Sequence, residues 1–338
     1  MTPPPRPAAE AFRRGLSALV ANPGLILAPL SFAAVLLGGI AVPVFLLVLG
    51  LAGWHRGRLR ISDIARDAEA LLPRLESFLE GLLAAPFVLI GGLLFLLVLL
   101  LLATVFAAYL RAGITGSLVA IDRHAVEDAH LPAFRRPGLW AVFRGSARRL
   151  FGRFFALVNL YALAVSFLVL LLVLPFGLVV LGAMRERGGF VAGAFVLFFL
   201  FLPLVIGGAI ALRVLYLVSC RLAATDDVDA LEAVARAVSL IRASLSRVVL
   251  LYLLTLAAGF VSGFAFLVPR FALSYFAGRS LVLFIAGTGL LMVAQMLVSF
   301  GYDLAVTGAF VSLWPVPSGE SPPPVVLAPD GDAPPVLV

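Results

Sequence analysis

From Leu82 to Tyr109 the chain carries no charged side chain, and comparable apolar blocks recur at residues 24–53, 155–184, 190–219, 248–268 and 281–302. A helix of about 20 apolar residues crosses a ~30 Å hydrocarbon layer. Lipid offers the backbone no hydrogen-bond partner, so a segment that crosses it must satisfy its own amides and carbonyls, as a helix does. These blocks therefore predict an all-α polytopic membrane protein with six transmembrane helices. Composition agrees: 62% of residues are hydrophobic and 13% charged, against roughly 45–50% and about 25% in a soluble domain. A water-soluble fold of this size would lack polar surface.

A second pattern lies at the edges of the blocks. Between Asp229 and Leu254, Leu231, Val234, Val238, Ile241 and Leu245 recur at steps of three and four, the spacing of one helix face. Glu232, Arg236, Ser239, Arg242 and Ser246 take the other face, and Asp229 with Glu232 resembles a helix-start capping arrangement. This predicts an amphipathic helix lying on the membrane surface and running without a break into the fifth span. Residues 10–21 repeat the pattern, with Phe12, Leu16 and Leu19 on one face and Arg13, Arg14 and Ser17 away from it; Asn22 and Pro23 then punctuate the chain. Residues 139–153 repeat it again, and Leu139, Ala141, Val142 and Arg144 each stand 92 positions before Leu231, Ala233, Val234 and Arg236. The expected architecture is three repeats of a surface helix plus a helical hairpin.

Residues 1–23 then form an N-terminal segment, its first nine residues proline-rich and expected to be disordered; 24–314 form the membrane domain; 315–338 form a disordered Pro-rich tail. The first apolar block far exceeds the 7–15 residues of a signal-peptide core and is read as a retained span. The fifth span is expected to stop at Pro269, and the sixth helix to continue along the surface to Trp314. With the N-terminus inside, 15 arginines fall on the inner side and 9 on the outer. The excess of positive charge on cytoplasmic loops places both termini in the cytoplasm. Cys220, the single cysteine, is then expected to resist an impermeant maleimide, and it provides neither a disulfide nor a metal cluster. All 25 basic residues are arginine, which suggests a GC-rich bacterial genome and hence the bacterial inner membrane. The net charge of +7 is read as a topology signal at lipid headgroups, with no nucleic-acid partner.

Several short motifs resemble those of bacterial six-helix membrane proteins related to the membrane domain of glycerophosphoryl diester phosphodiesterases. They are Asn22 and Pro23 before the first span; Glu232, Ala233, Arg236, Ser239 and Arg242 before the fifth; and Tyr302, Asp303 and Leu304 at the end of the sixth. The sequence departs from that pattern where Tyr302 and Asp303 are adjacent and Ala305 replaces a closing arginine. The resemblance implies a membrane domain and carries no activity with it. It does not extend to a catalytic barrel: His55, Arg56 and Gly57 spell a catalytic-domain tripeptide, but the loop around them is far too short for the ~250 residues of such a barrel.

Charged residues near a hydrocarbon boundary tend to pair or to face a cavity. Arg111, Arg213 and Asp303 stand at equivalent ends of the even-numbered spans, which predicts that Asp303 pairs with Arg213 or Arg111 and ties those ends together. Arg13, Arg14, Arg144, Arg148, Arg149, Arg153, Arg236, Arg242 and Arg247 are candidates for contact with anionic headgroups. Asn159 and Gln295 are polar groups within spans, expected to hydrogen-bond between helices. Gly259 with Gly263 and Gly189 with Gly193 have the spacing of close helix approach. The segment DRHAVEDAH, which contains Asp122, His124 and His130, reads as a solvated loop with no metal site, and no nucleophile elbow, phosphate loop or dinucleotide fingerprint occurs. No catalytic residue and no cofactor is expected. The first functional expectation is a non-enzymatic protein of envelope maintenance, or an accessory to an unknown membrane-protein partner, contacting membrane lipid; the alternative is a transporter or channel for a lipidic or small apolar solute.

Overall fold

The computed structural model describes residues 4–36, 86–125, 131–135, 138–184, 188–277 and 281–315. The described residues form eight α-helices: α1 (Ala8–Ala21), α2 (Leu27–Leu36), α3 (Pro86–His124), α4 (Leu139–Met184), α5 (Gly188–Thr225), α6 (Ala230–Ala243), α7 (Leu245–Ala277) and α8 (Leu281–Ser312), with 3-10 turns at Pro23–Ile26 and Leu131–Phe134. Five of them, α3, α4, α5, α7 and α8, are long and apolar enough to cross a membrane. The expected first span at 24–53 falls mostly outside the described residues, as do the loop holding His55 and the tail beyond Pro315. The chain divides into two units, residues 27–107 and residues 1–26 with 108–338. The first contains α2 and the start of α3, and the second contains everything discussed below.

In this second unit the buried residues gather at one end of the long helices. Residues 108–125 at the end of α3, 214–224 of α5 and 304–314 at the end of α8 are largely buried. Around them pack α1, the first turns of α4, α6 and the start of α7, through Ala11, Phe143, Ala147, Leu150, Phe154, Ala233, Ala237 and Leu251. We call this layer the cap. By contrast, the most apolar stretch of α5 has none of its residues buried and that of α4 very few. The physical reason is the solvent: apolar burial stabilises by about 25 cal/mol per Å² only where the alternative is water, and lipid tails remove that drive between spans.

Two close crossings fix the cap. A Cβ on Gly15 of α1 would lie 2.5 Å from the Ala305 carbonyl oxygen, and one on Gly308 would lie 3.0 Å from the Cα of Gly15, so α1 and α8 touch backbone to backbone. On α3, Cβ atoms at Gly113 and Gly116 would meet Phe143 and Ser146 of α4 at 2.5 Å. Of the glycines expected to permit close approach, Gly259 meets the Tyr302 hydroxyl, whereas Gly193 and Gly263 face open space.

Four expectations about the helices are corrected. First, the surface helix does not run unbroken into the fifth span. The chain breaks at Ser244, whose N–H donates to the Leu240 and Ile241 carbonyls while its own carbonyl accepts from Arg247 and Val248. Serine is favoured where a new helix starts. The expected cap at the start of α6 is also absent, since Asp229 makes no side-chain capping bond. Second, where a surface helix at 139–153 and a separate third span were expected, α4 is one helix of 46 residues, about 69 Å long. Its buried residues Phe143, Ala147, Leu150, Phe154 and Leu157 form a single stripe. Third, α7 does not stop at Pro269 but continues to Ala277. Proline removes one backbone donor, but ending a helix inside lipid would leave many groups unsatisfied. Fourth, α1 buries Ala8, Ala11, Arg14, Gly15 and Ala18, while Leu16 of the expected apolar side is exposed and Phe12 and Leu19 are only partly buried. The shape needed to approach α8 decided the face, and hydrophobicity did not.

Candidate functional site

The uncharged run of α5 ends at Leu212 and that of α8 at Tyr302, and the next residue of each is charged. There the structure brings together Arg111, Arg213 and Asp303. Arg111 Nη2 lies 2.8 Å from Asp303 Oδ2 and Arg213 Nη2 3.1 Å from Oδ1. Arg111 Nη1 donates to Thr307 Oγ1 at 3.3 Å, and that hydroxyl donates to the Asp303 carbonyl at 2.7 Å. One carboxylate thus joins α3, α5 and α8, each oxygen taking one guanidinium.

Eleven residues further along α3, about 16 Å at helical rise, lies a second cluster that the sequence reading missed. Asp122, in a segment whose polarity predicts a solvated loop, lies in α3 and is 6% exposed. Its Oδ1 accepts from Arg14 Nε at 3.0 Å and from the Ser312 hydroxyl at 2.9 Å, and Arg6 Nη1 reaches both oxygens at 3.2 Å. The Arg6 N–H donates to the Leu313 carbonyl at 2.7 Å and its Nη1 to Ser312 O at 2.9 Å. Residues 4–7, expected to be disordered, are thereby held on the end of α8. That end is buried rather than lying along the surface.

Arg14, read as a headgroup contact, is 3% exposed; besides Asp122 it donates to the Ala125 carbonyl and lies over the Phe134 ring. Arg221, which the sequence reading did not single out, is also buried. It donates to the Val311 and Trp314 carbonyls at 3.0 and 2.7 Å and lies over the Trp314 ring. Such guanidinium groups satisfy helix-end carbonyls that lack intrahelical partners. A signal for Arg14 was present in the sequence: Ala8, Ala11, Gly15 and Ala18 form a stripe of small residues, which marks a packed helix face. Asn22 uses its side-chain amide to bridge the Ala18 and Phe134 carbonyls.

The remaining arginines expected at headgroups divide in two. Arg153 pairs with Asp227, Arg236 with Glu232 and Asp226, and Arg247 donates to the Pro5 carbonyl. Asp227 has a positive φ of 57° in the turn between α5 and α6, and its hydrogen bond to Arg153, then the charges of Arg153 and Arg149, hold its carboxyl below the ordinary value. Arg13, Arg144, Arg148, Arg149 and Arg242 are exposed and form no salt bridge with the described residues.

No family model, curated protein or solved structure matches this chain. What the fold supports is a polytopic helical membrane protein in contact with lipid. Among the polar residues of the spans, Asn159 donates to the Phe155 carbonyl of its own helix, at 2.7 Å, instead of between helices. Gln295 of α8 accepts from Arg270 Nη2 of α7 at 2.8 Å. Among the described residues no group of three His, Cys, Asp or Glu side chains is placed to hold a metal; residues 126–130 of the DRHAVEDAH segment lie outside them. Cys220 is 2% exposed, so its thiol is shielded from reagents on either side and the maleimide expectation does not report topology.

Proposed function

We propose that the chain is a non-enzymatic protein of the bacterial inner membrane whose cap rests on the anionic cytoplasmic leaflet, with a role in envelope maintenance or as an accessory to another membrane protein. One observation carries this reading. Arginines directed into the cap are used on Asp122, Asp303 and carbonyl groups, whereas Arg13, Arg144, Arg148 and Arg242 remain exposed beside exposed Leu16, Trp140, Leu231 and Leu245. Cationic and apolar side chains exposed together suit the headgroup boundary, where each basic residue contributes about 1 kcal/mol on an anionic leaflet. The motif likeness to the membrane domain of glycerophosphoryl diester phosphodiesterases supports a membrane module working without a catalytic barrel. The offset pairs between residues 139–144 and 231–236 support a repeated unit.

The test uses the full chain in discs of mixed phosphatidylcholine and phosphatidylglycerol, with retained lipid counted by native mass spectrometry. The triple variant Arg144→Gln, Arg148→Gln, Arg242→Gln should lose bound phosphatidylglycerol; equal retention sinks the reading. For orientation, Arg148→Cys in a Cys220→Ala background should be shielded from an impermeant maleimide in intact cells. Ready labelling there reverses the topology.

Transport of a lipidic solute is a second reading, supported by the Arg270–Gln295 contact between two candidate spans. Gln295→Leu should then slow flux of such a solute in proteoliposomes, and absence of any flux by the parent chain removes this reading.

A further inference from the structure

We propose that Arg213 binds the phosphate of a membrane phospholipid at the level where α3, α5 and α8 leave the hydrocarbon, with Arg111 and Asp303 holding it in place. This rests on the reading that the arginine-bearing end faces headgroups, and it assigns a particular site there. Charge is the first argument. Two guanidinium groups share the single Asp303 carboxylate, and among the described residues neither forms an ion pair with another acid. The cluster carries one positive charge in excess.

The second argument is the count of donors. A guanidinium has five N–H donors in a planar fork. Arg111 uses its two terminal nitrogens on Asp303 and Thr307 and has 27% of its side chain exposed. Arg213 makes a single contact, from Nη2 to Asp303 Oδ1, and is 41% exposed. Its other N–H groups form the fork that pairs side by side with phosphate oxygens.

The third argument is depth. The uncharged run from Phe190 to Leu212 leads directly into Arg213 and measures about 34 Å as a helix, enough for the ~30 Å core. Headgroups fill the few ångströms beyond. On the far side of Arg213, Val214, Leu217 and Val218 are buried in the cap. The open donors therefore lie at the layer where lipid phosphates are concentrated. A free phosphate ion has the same chemistry, and the test separates the two.

Thermal melting of the full chain in a neutral detergent would be followed with added phosphatidylglycerol, with diacylglycerol of the same tails, and with inorganic phosphate. The phospholipid should raise the melting temperature, and the other two should not. Arg213→Gln should weaken the phospholipid's apparent affinity about tenfold, while Arg213→Lys, which keeps the charge without the fork, should lose less. Arg213→Gln retains the Arg111–Asp303 pair, so folding has support; if it fails to fold, Arg213→Lys against the parent decides. A shift equal in Arg213→Gln and the parent overturns the proposal, as does an equal shift from inorganic phosphate, which assigns a soluble anion instead. The Arg144→Gln, Arg148→Gln variant should keep the shift. If it loses the shift while Arg213→Gln retains it, this site fails and the broader reading of the cap stands.

Discussion

Replacing Asp303 by Asn removes the one negative charge between two arginines and leaves the shape nearly unchanged. Contacts of 2.8 and 3.1 Å would each give about 5–6 kcal/mol at an effective dielectric constant of 20. All three side chains are partly exposed, however, and solvent screening brings exposed pairs below about 1 kcal/mol each. A fully buried pair broken on one side costs about 3–5 kcal/mol. Two half-screened contacts, plus the new repulsion between Arg111 and Arg213, place the loss near 2 kcal/mol. For a chain of 338 residues that lowers the melting temperature by about 3 °C. The assay is a detergent melt of Asp303→Asn, Arg213→Gln and the double variant. The double variant should recover part of the Asp303→Asn loss, because removing Arg213 relieves the uncompensated charge. A melting temperature within about 1 °C of the parent for Asp303→Asn would refute the claim that this carboxylate ties α3, α5 and α8 together.

Asp122→Asn should cost more than Asp303→Asn, about 3–5 kcal/mol, because it leaves Arg14 charged and buried; melting of the two variants side by side checks the order. Gly15→Ala should strongly destabilise, since its Cβ would press on the Ala305 carbonyl of α8, whereas Gly145→Ala, with open space at that position, should be neutral or slightly stabilising through helix propensity. The carboxyl of Asp227 is held low by Arg153, so its contribution to stability is complete above the unfolded value near 4 and is lost as pH falls through the lower folded value. Asp227→Asn and the parent should therefore differ in melting temperature at neutral pH and converge once the pH lies below the lowered folded value; a gap that persists however acid the solution would contradict this.

Helical spans were legible in the sequence because lipid leaves the backbone few options, and a run such as 82–109 states that constraint locally. The end of α7 was not legible. Pro269 punctuates a helix in water, but the same residue is tolerated where lipid penalises a free end. The three charges Arg111, Arg213 and Asp303 could be found as rare charged residues at the ends of apolar runs. Asp122 could not, because its neighbours in sequence are polar and its partners, Arg6, Arg14 and Ser312, come from both ends of the chain.

By itself, then, the sequence determined that the chain crosses lipid as helices and where charge cannot go, since both follow from the free energy of placing single residues in hydrocarbon. Only the tertiary structure decided which arginines are buried and which are left exposed. Arg13 and Arg14 are neighbours with the same side chain, yet Arg14 meets Asp122 and Arg13 remains exposed. That choice depends on the rotation of α1 as Gly15 settles against Gly308, a contact between residues nearly 300 positions apart.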